Sequence, residues 1–252
     1  MFVFLNTANP SSYHCPNQKY SSMKSTIYYL LFAFFSVWST DVKGQSDIKS
    51  YSLKKGQAFD ILFLKTIEGS EETRKRYFDT AIPVAMKTGY GPLKGFKVKA
   101  PLKGDYAPES MILGSWPSIQ VREQFLADIE KEVPDFHSMR KEIWSTFDLT
   151  YWEIKEDLAF DVNTTKYNVV TSFWGDKRYV KSFQRDWIGK SIKSGGKTIF
   201  VLEEGTSPKG YEYNPDFLIL TQWDSEEAYQ NLIHNECSFA TKKVKIVHQL
   251  SI

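Results

Sequence analysis

An internal repeat constrains this chain more than any other feature. The segment Met111-Ile112-Leu113-Gly114-Ser115-Trp116-Pro117-Ser118 is echoed by Leu218-Ile219-Leu220-Thr221-Gln222-Trp223-Asp224-Ser225. Both are apolar strands that end in Trp, followed by a Ser placed to cap a helix. Other landmarks return at nearly the same spacing: Tyr77 with Phe183, Ile82 with Ile188, Gly89 with Gly195 and Phe125 with Leu232. A match that extends from a strand to helix interiors and helix ends marks a duplicated domain.

Each copy reads in the same order. The first has a strand over 59–65 and a helix over 70–88, whose apolar positions Tyr77, Ala81 and Met86 recur at helical spacing. Gly89 stops that helix as a left-handed residue would, and Pro83 inside it predicts a kink or a break. A strand over 95–100, a Gly-Asp loop, a strand over 111–116, a helix over 118–131, a helical piece over 139–145 and a closing strand over 147–154 complete the unit. The second copy has strands over 168–174, 198–203, 217–223 and 244–251, with helices over 177–194 and 225–234. The order in both is β-α-β-β-α-β, the ferredoxin-like unit. The fold class is therefore α+β: two tandem units, 57–156 and 166–252, joined by a polar linker over 157–165. Such a unit packs both helices on one sheet face and leaves the other in need of cover. Two units in one chain cover each other as a pseudo-dimeric barrel with a cavity between sheet and helices. The chain is self-sufficient as a monomeric pseudo-dimer, or it pairs again as a homodimer.

The N-terminal part stands apart. Met23, Lys24, an apolar run over 27–38 and a small-residue end at Val42-Lys43-Gly44 follow the layout of a secretory signal peptide. The run is short for a bilayer span, although an uncleaved anchor is the competing reading. Residues 1–22 carry no periodicity and read as an extension before a start at Met23; residues 23–44 are the signal, cleaved near Gly44. The expected destination is the periplasm or the extracellular space. Without Lys19, Lys24, Lys43 and Asp41, the acids and bases of the remainder balance. A neutral chain with no basic stripe lacks the footprint that phosphate backbones require, which argues against nucleic acid as a partner. Cys15 falls in the leader, so Cys237 stands alone and no internal disulfide forms. Its mixed surroundings suit an inert thiol better than a nucleophile.

The stretch Ile219-Leu220-Thr221-Gln222-Trp223-Asp224-Ser225-Glu226-Glu227-Ala228-Tyr229, with the Met111 to Phe125 stretch of the first copy, resembles the dimeric α+β barrel superfamily, which includes antibiotic-biosynthesis-type monooxygenases and NIPSNAP-like proteins. The resemblance covers nearly all of 57–252. It implies a fold shared by cofactor-free oxygenases, haem enzymes, isomerases and proteins without known activity, so the fold does not choose among them. Haem-degrading members place a ligating His where this chain has Lys242 and a second Trp where it has Leu232. Both departures argue against that chemistry and for no cofactor. The tandem layout of chlorite dismutases keeps haem in another arrangement as an alternative.

Few residues offer chemistry. No Cys-x-x-Cys, His-x-His, His-Glu-x-x-His, phosphate loop or Gly-x-Ser-x-Gly occurs, so no metal site is expected. His234 ends a helix, where the dipole favours it, and His137 follows Pro134 in a solvated loop. His248 lies in the last strand, opposite Val247 in side-chain direction. If Val247 faces the helices, His248 faces the other half of the barrel or water; the opposite register places it in the core. In an apolar cavity it would move a proton near neutral pH, which makes it the candidate catalytic residue. Trp116, Trp174, Trp223 and Tyr151 are the candidate walls of a pocket for a small apolar or aromatic molecule, and packing alone also explains them. Aromatic residues make up 15% of the chain, which suits either use. His248 has no matching His in the first copy, so a site is expected toward the second. The competing functions are a cofactor-independent monooxygenase- or isomerase-like enzyme, a non-catalytic binding or stress-related protein, and a haem binder.

Overall fold

A computed structural model describes residues 47–235 and 244–252; the leader, Cys237 and Lys242 lie outside them. The first unit comprises β2 (Ala58–Thr66), α1 (Glu71–Lys87), β3 (Gly91–Lys97), β5 (Ser110–Trp116), α2 (Ile119–Glu132), α3 (Phe136–Ile143) and β6 (Trp144–Glu153), with the short β4 (Ala100–Lys103) between β3 and β5. The second comprises β8 (Tyr167–Gly175), α4 (Lys177–Lys193), β9 (Lys197–Glu203), β10 (Phe217–Trp223), α5 (Glu226–Asn235) and β11 (Val244–Ser251). Sheet orders are β3-β5-β2-β6 and β4-β11-β8-β10-β9, antiparallel throughout. Both are ferredoxin-like, and together they form the two-unit α+β barrel that the repeat implied.

The signals that defined the repeat do the same local work twice. Gly89 and Gly195 take positive φ just beyond α1 and α4. The next amides, Tyr90 and Gly196, reach back to the carbonyls of Ala85 and Ser191 at 2.9 and 2.8 Å, so both helices end in a Schellman turn. Ser118 caps α2 by accepting from the Val121 amide at 3.2 Å. Pro83 does not break α1, contrary to the sequence expectation. It lies on the exposed face, where the carbonyl left without its N–H partner meets solvent.

Three apolar cores follow from strand alternation. Phe59, Ile61 and Phe63 of β2 meet Val170 of β8, Leu218 and Leu220 of β10 and Leu250 of β11 between the sheets. Ala58, Tyr77, Trp116, Phe125, Phe136 and Met139 pack the first sheet against its helices. Phe173, Trp187, Ile219, Trp223, Tyr229 and Val247 do so for the second.

Two departures concern how the units are joined. The expected linker contains a strand, β7 (Leu158–Asn163), which pairs with β1 (Ile48–Leu53), a strand in residues that the sequence reading had placed before the domain. Tyr51 stacks on Phe160 at 4.7 Å, and this ribbon adds Tyr51, Leu53, Phe160 and Val162 to the core between the sheets. The expected strand over 95–100 is instead two, and the second of them, β4, leaves its own sheet to pair with β11 of the other unit. The second unit answers in kind: Thr206, in the segment between β9 and β10, bridges Tyr151 of β6 with both amides at 2.9 Å. Each unit thus covers the edge that the other would leave unpaired.

Candidate functional site

Where the arms cross, the two units bring together equivalent residues. Asp148 stands opposite Phe63 in the β6–β2 register, and His248 stands opposite Ser172 in the β11–β8 register. Phe63 in turn faces Met111, and Ser172 faces Leu218, the repeat partner of Met111. Asp148 and His248 therefore hold the same place in the two sheets. Tyr106, in the arm after β4, and Tyr213, in the arm before β10, also correspond in the repeat, and their rings stack at 5.1 Å.

His248 lies on this seam because Val247 belongs to the helix-facing core. Its ring stacks on Tyr106 at 4.6 Å, meets Trp174 edge-on at 5.0 Å and lies 5.9 Å from Tyr213. Phe63 closes the floor, 6.0 Å from Tyr106 and 5.4 Å from Tyr213. Tyr213 and Phe63 are buried, whereas His248, Tyr106, Trp174 and Asp148 are half-buried, so the cluster has a closed floor and an open rim. Gly104, at positive φ, lets the arm pass so close that a Cβ there would come within 2.8 Å of the imidazole.

The electrostatics of the seam follow from burial. Desolvation lowers the His248 pKa below its usual 6.5, so the imidazole is neutral at pH 7. Desolvation pushes the Asp148 carboxyl up, with Tyr106 beside it pulling the other way. Both tyrosine hydroxyls are pushed well above their usual range, again chiefly by burial, and stay protonated as donors. The Tyr106 hydroxyl lies beside Asp148 and that of Tyr213 beside Ser172, in neither case with hydrogen-bonding geometry. Three buried polar atoms, the two hydroxyls and His248 Nδ1, are left without a partner among the described residues.

The residues proposed from sequence do not form one pocket. His248 and Trp174 share the seam. Trp116 and Tyr151 point to the other face of the first sheet, as strand alternation requires. There Trp116 Nε1 donates to Asp60 at 3.0 Å, Arg122 Nε donates to the same carboxylate at 2.8 Å, and the Arg122 guanidinium lies 3.9 Å over the Tyr151 ring. The Tyr151 hydroxyl donates to Glu123 at 2.7 Å and is pushed up to about 12, first by burial and then by that hydrogen bond. Trp223 lies in the helix-side core of the second unit, its Nε1 donating to Thr221 at 3.1 Å. The seam belongs to both copies, not to the second alone. His137 is in the first turn of α3, half-buried with its ring against Phe136, not in a solvated loop. His234 ends α5, with Nδ1 2.8 Å from the Gln230 carbonyl.

Sequence reading passed over Tyr106, Asp148 and Tyr213. The signal was present, since Tyr106 and Tyr213 recur at the spacing of the two strand tryptophans. Both lie in loops, where no periodicity draws attention to them.

Among the described residues, His248 has Tyr106 stacked on its ring face and Trp174 at its edge, and His234 lies exposed at a helix end.

No family model matches the chain, and no curated protein does. Among solved structures, an anthrone oxidase-like protein is 15% identical over 80% of this chain and 94% of its own, with a TM-score of 0.48. A variant of chlorite dismutase from Candidatus Nitrospira defluvii is 10% identical over 79% and 93%, with a TM-score of 0.46. A protein provisionally named a monooxygenase, from Fusobacterium nucleatum subsp. nucleatum, is 12% identical over 79% and 92%, with a TM-score of 0.41.

Proposed function

We propose that the seam is the active site of a cofactor-independent enzyme that moves a proton on a small apolar or aromatic compound. The observation that carries this reading is the pairing of Asp148 with His248 at equivalent positions about the stacked Tyr106 and Tyr213. Neutral His248 takes a proton from an activated C–H or O–H bond. The tyrosine hydroxyls donate to the oxygen on which negative charge then develops, and Trp174 provides a flat wall. The His248 imidazolium so formed is placed to return the proton, and Asp148 lies beside Tyr106 on the same seam. A carbanion formed in this way either takes the proton back from His248 at another carbon, which is isomerisation, or gives an electron to dioxygen and bonds to it, forming a peroxide that takes that proton.

Anthrone in D2O tests the proton step, because its ring carbonyl acidifies the methylene across the ring. The wild-type chain accelerates exchange of those hydrogens, and His248→Gln lowers the rate by about 10² or more. Equal rates in the two proteins would sink the reading. Oxygen uptake measured alongside separates isomerase from oxygenase chemistry.

The close Tyr106–His248 stack favours a second reading, a binding protein without turnover. It predicts saturable quenching of Trp174 fluorescence by the same probe with no exchange above background.

We also infer export of the chain, from the charged, apolar and small-residue segments over 23–44. Expression in a secreting host with N-terminal sequencing tests it: a mature chain that begins just after Gly44 supports export, and an intact chain in the cytosol refutes it.

A further inference from the structure

Arg140 of α3 lies in the helix-side core of the first unit and is only 8% exposed. Its Nε donates to the Tyr77 hydroxyl and its Nη1 to the Tyr211 hydroxyl, both at 3.0 Å. Its guanidinium carbon lies 4.0 Å from the Phe136 ring centroid and 4.4 Å from that of Phe147. Among the described residues no carboxylate comes within ion-pairing distance of it.

The charge of this core does not balance. Two buried guanidiniums, Arg122 and Arg140, share one buried carboxylate, Asp60: Arg122 holds it at 2.8 Å, and Arg140 acts on it from beyond ion-pairing distance. Arginine does not escape burial by losing its proton, and a buried charge without a counter-charge is strongly unfavourable. Aromatic faces offset part of that penalty and do not neutralise it.

Hydrogen bonding points the same way. Each tyrosine oxygen accepts from Arg140, so each must direct its own proton elsewhere. Among the described residues neither hydroxyl finds an acceptor. Two O–H donors and the remaining guanidinium N–H groups are thus gathered around one cationic centre walled by flat rings. Phe147 and Tyr211 are half-buried and form its outer side.

We propose that Arg140, Tyr77 and Tyr211 form a binding site for the carboxylate of a small aromatic acid. The carboxylate pairs with the guanidinium and accepts from the tyrosine hydroxyls, while its ring packs against Phe147 on the half-buried outer side. The site is on the helix side of the first sheet, away from the His248 seam, and does not depend on the reaction assigned there.

Isothermal titration with benzoate, and with benzamide as its uncharged isostere, tests the site on the folded chain. Benzoate gives a saturable heat in the wild type and benzamide does not. Binding is lost in Arg140→Met and is about ten-fold weaker in Tyr211→Phe, which lacks one donor. The melting temperature of R140M without ligand is at or above that of the wild type, because the unpaired charge is gone. Absence of benzoate heat at millimolar concentration, equal binding of benzamide, or undiminished affinity in R140M overturns the proposal. If R140M does not fold, unchanged affinity in Y211F overturns it.

Discussion

Arg122 and Tyr229 occupy the same place in the two units, and so do Asp60 and Val169. The register fixes this: Ala58 stands opposite Trp116 and Tyr167 opposite Trp223, so the residue two further along each central strand is Asp60 in one unit and Val169 in the other. One copy fills the gap between sheet and helices with an ion pair, the other with apolar side chains.

That equivalence supplies a substitution already tried by the chain itself. Asp60→Val alone strands a buried guanidinium and is expected to destabilise by about 3–5 kcal/mol. The double variant Asp60→Val, Arg122→Tyr removes both charges and recovers part of that loss, since the Trp116 indole then lacks the acceptor that Thr221 gives Trp223. Urea unfolding of both singles and the double gives the coupling energy; additive losses would show that the ion pair is not one unit.

The pH dependence of the seam has a definite sign. His248 binds its proton below the usual 6.5 in the folded chain and near 6.5 when unfolded. Stability therefore rises with pH between the two values, is fully present above 6.5, and is lost as pH falls. Asp148, raised by burial, gives the opposite slope above its usual 3.8. The exchange rate should climb through a midpoint below 6.5 to a plateau at neutral pH, and that limb should vanish in H248Q. A midpoint above 6.5 would mean that His248 gains a partner when substrate binds.

Tyr213→Phe removes a buried hydroxyl that has no partner. Stability should be unchanged or higher by about 1 kcal/mol, as for the removal of other unsatisfied polar groups. The exchange rate should fall by about ten-fold or more, because a donor to the developing oxyanion is lost. Thermal melts and rates on the same samples separate the effects; loss of both together would make Tyr213 a packing residue.

Gly104→Ala places a Cβ 2.8 Å from the His248 ring and 2.9 Å from the Val247 carbonyl, at a backbone angle suited to glycine. A loss of about 1–3 kcal/mol is expected. If the imidazole yields, the exchange rate falls further than the loss of folded protein explains, which a rate normalised to folded fraction will reveal.

Much of the fold was legible because strong local signals occur twice. The Trp-terminated strands, the Ser118 cap and the glycines at 89 and 195 are short-range devices, and a sequence displays them directly. β1 and β4 were harder, because what makes them strands is a partner far along the chain, β7 in one case and β11 in the other. His248 and Trp174 were found, but alternation sends Trp116 and Tyr151 to the opposite face of their sheet. Nothing in the local sequence marks Arg122 and Arg140 as buried. Only the packing of α2 and α3 against the sheet shows them to be buried.

The exchange of arms between the units is what two identical single-unit chains would make on forming a dimer. A symmetric dimer must repeat itself: a carboxylate at one position on β6 would meet the same carboxylate across the axis, and two like charges would share one site. A single chain with two unlike halves is free of that restriction: here the equivalent places hold Asp148 and His248, an acid and a base, with Tyr106 and Tyr213 stacked on the same seam.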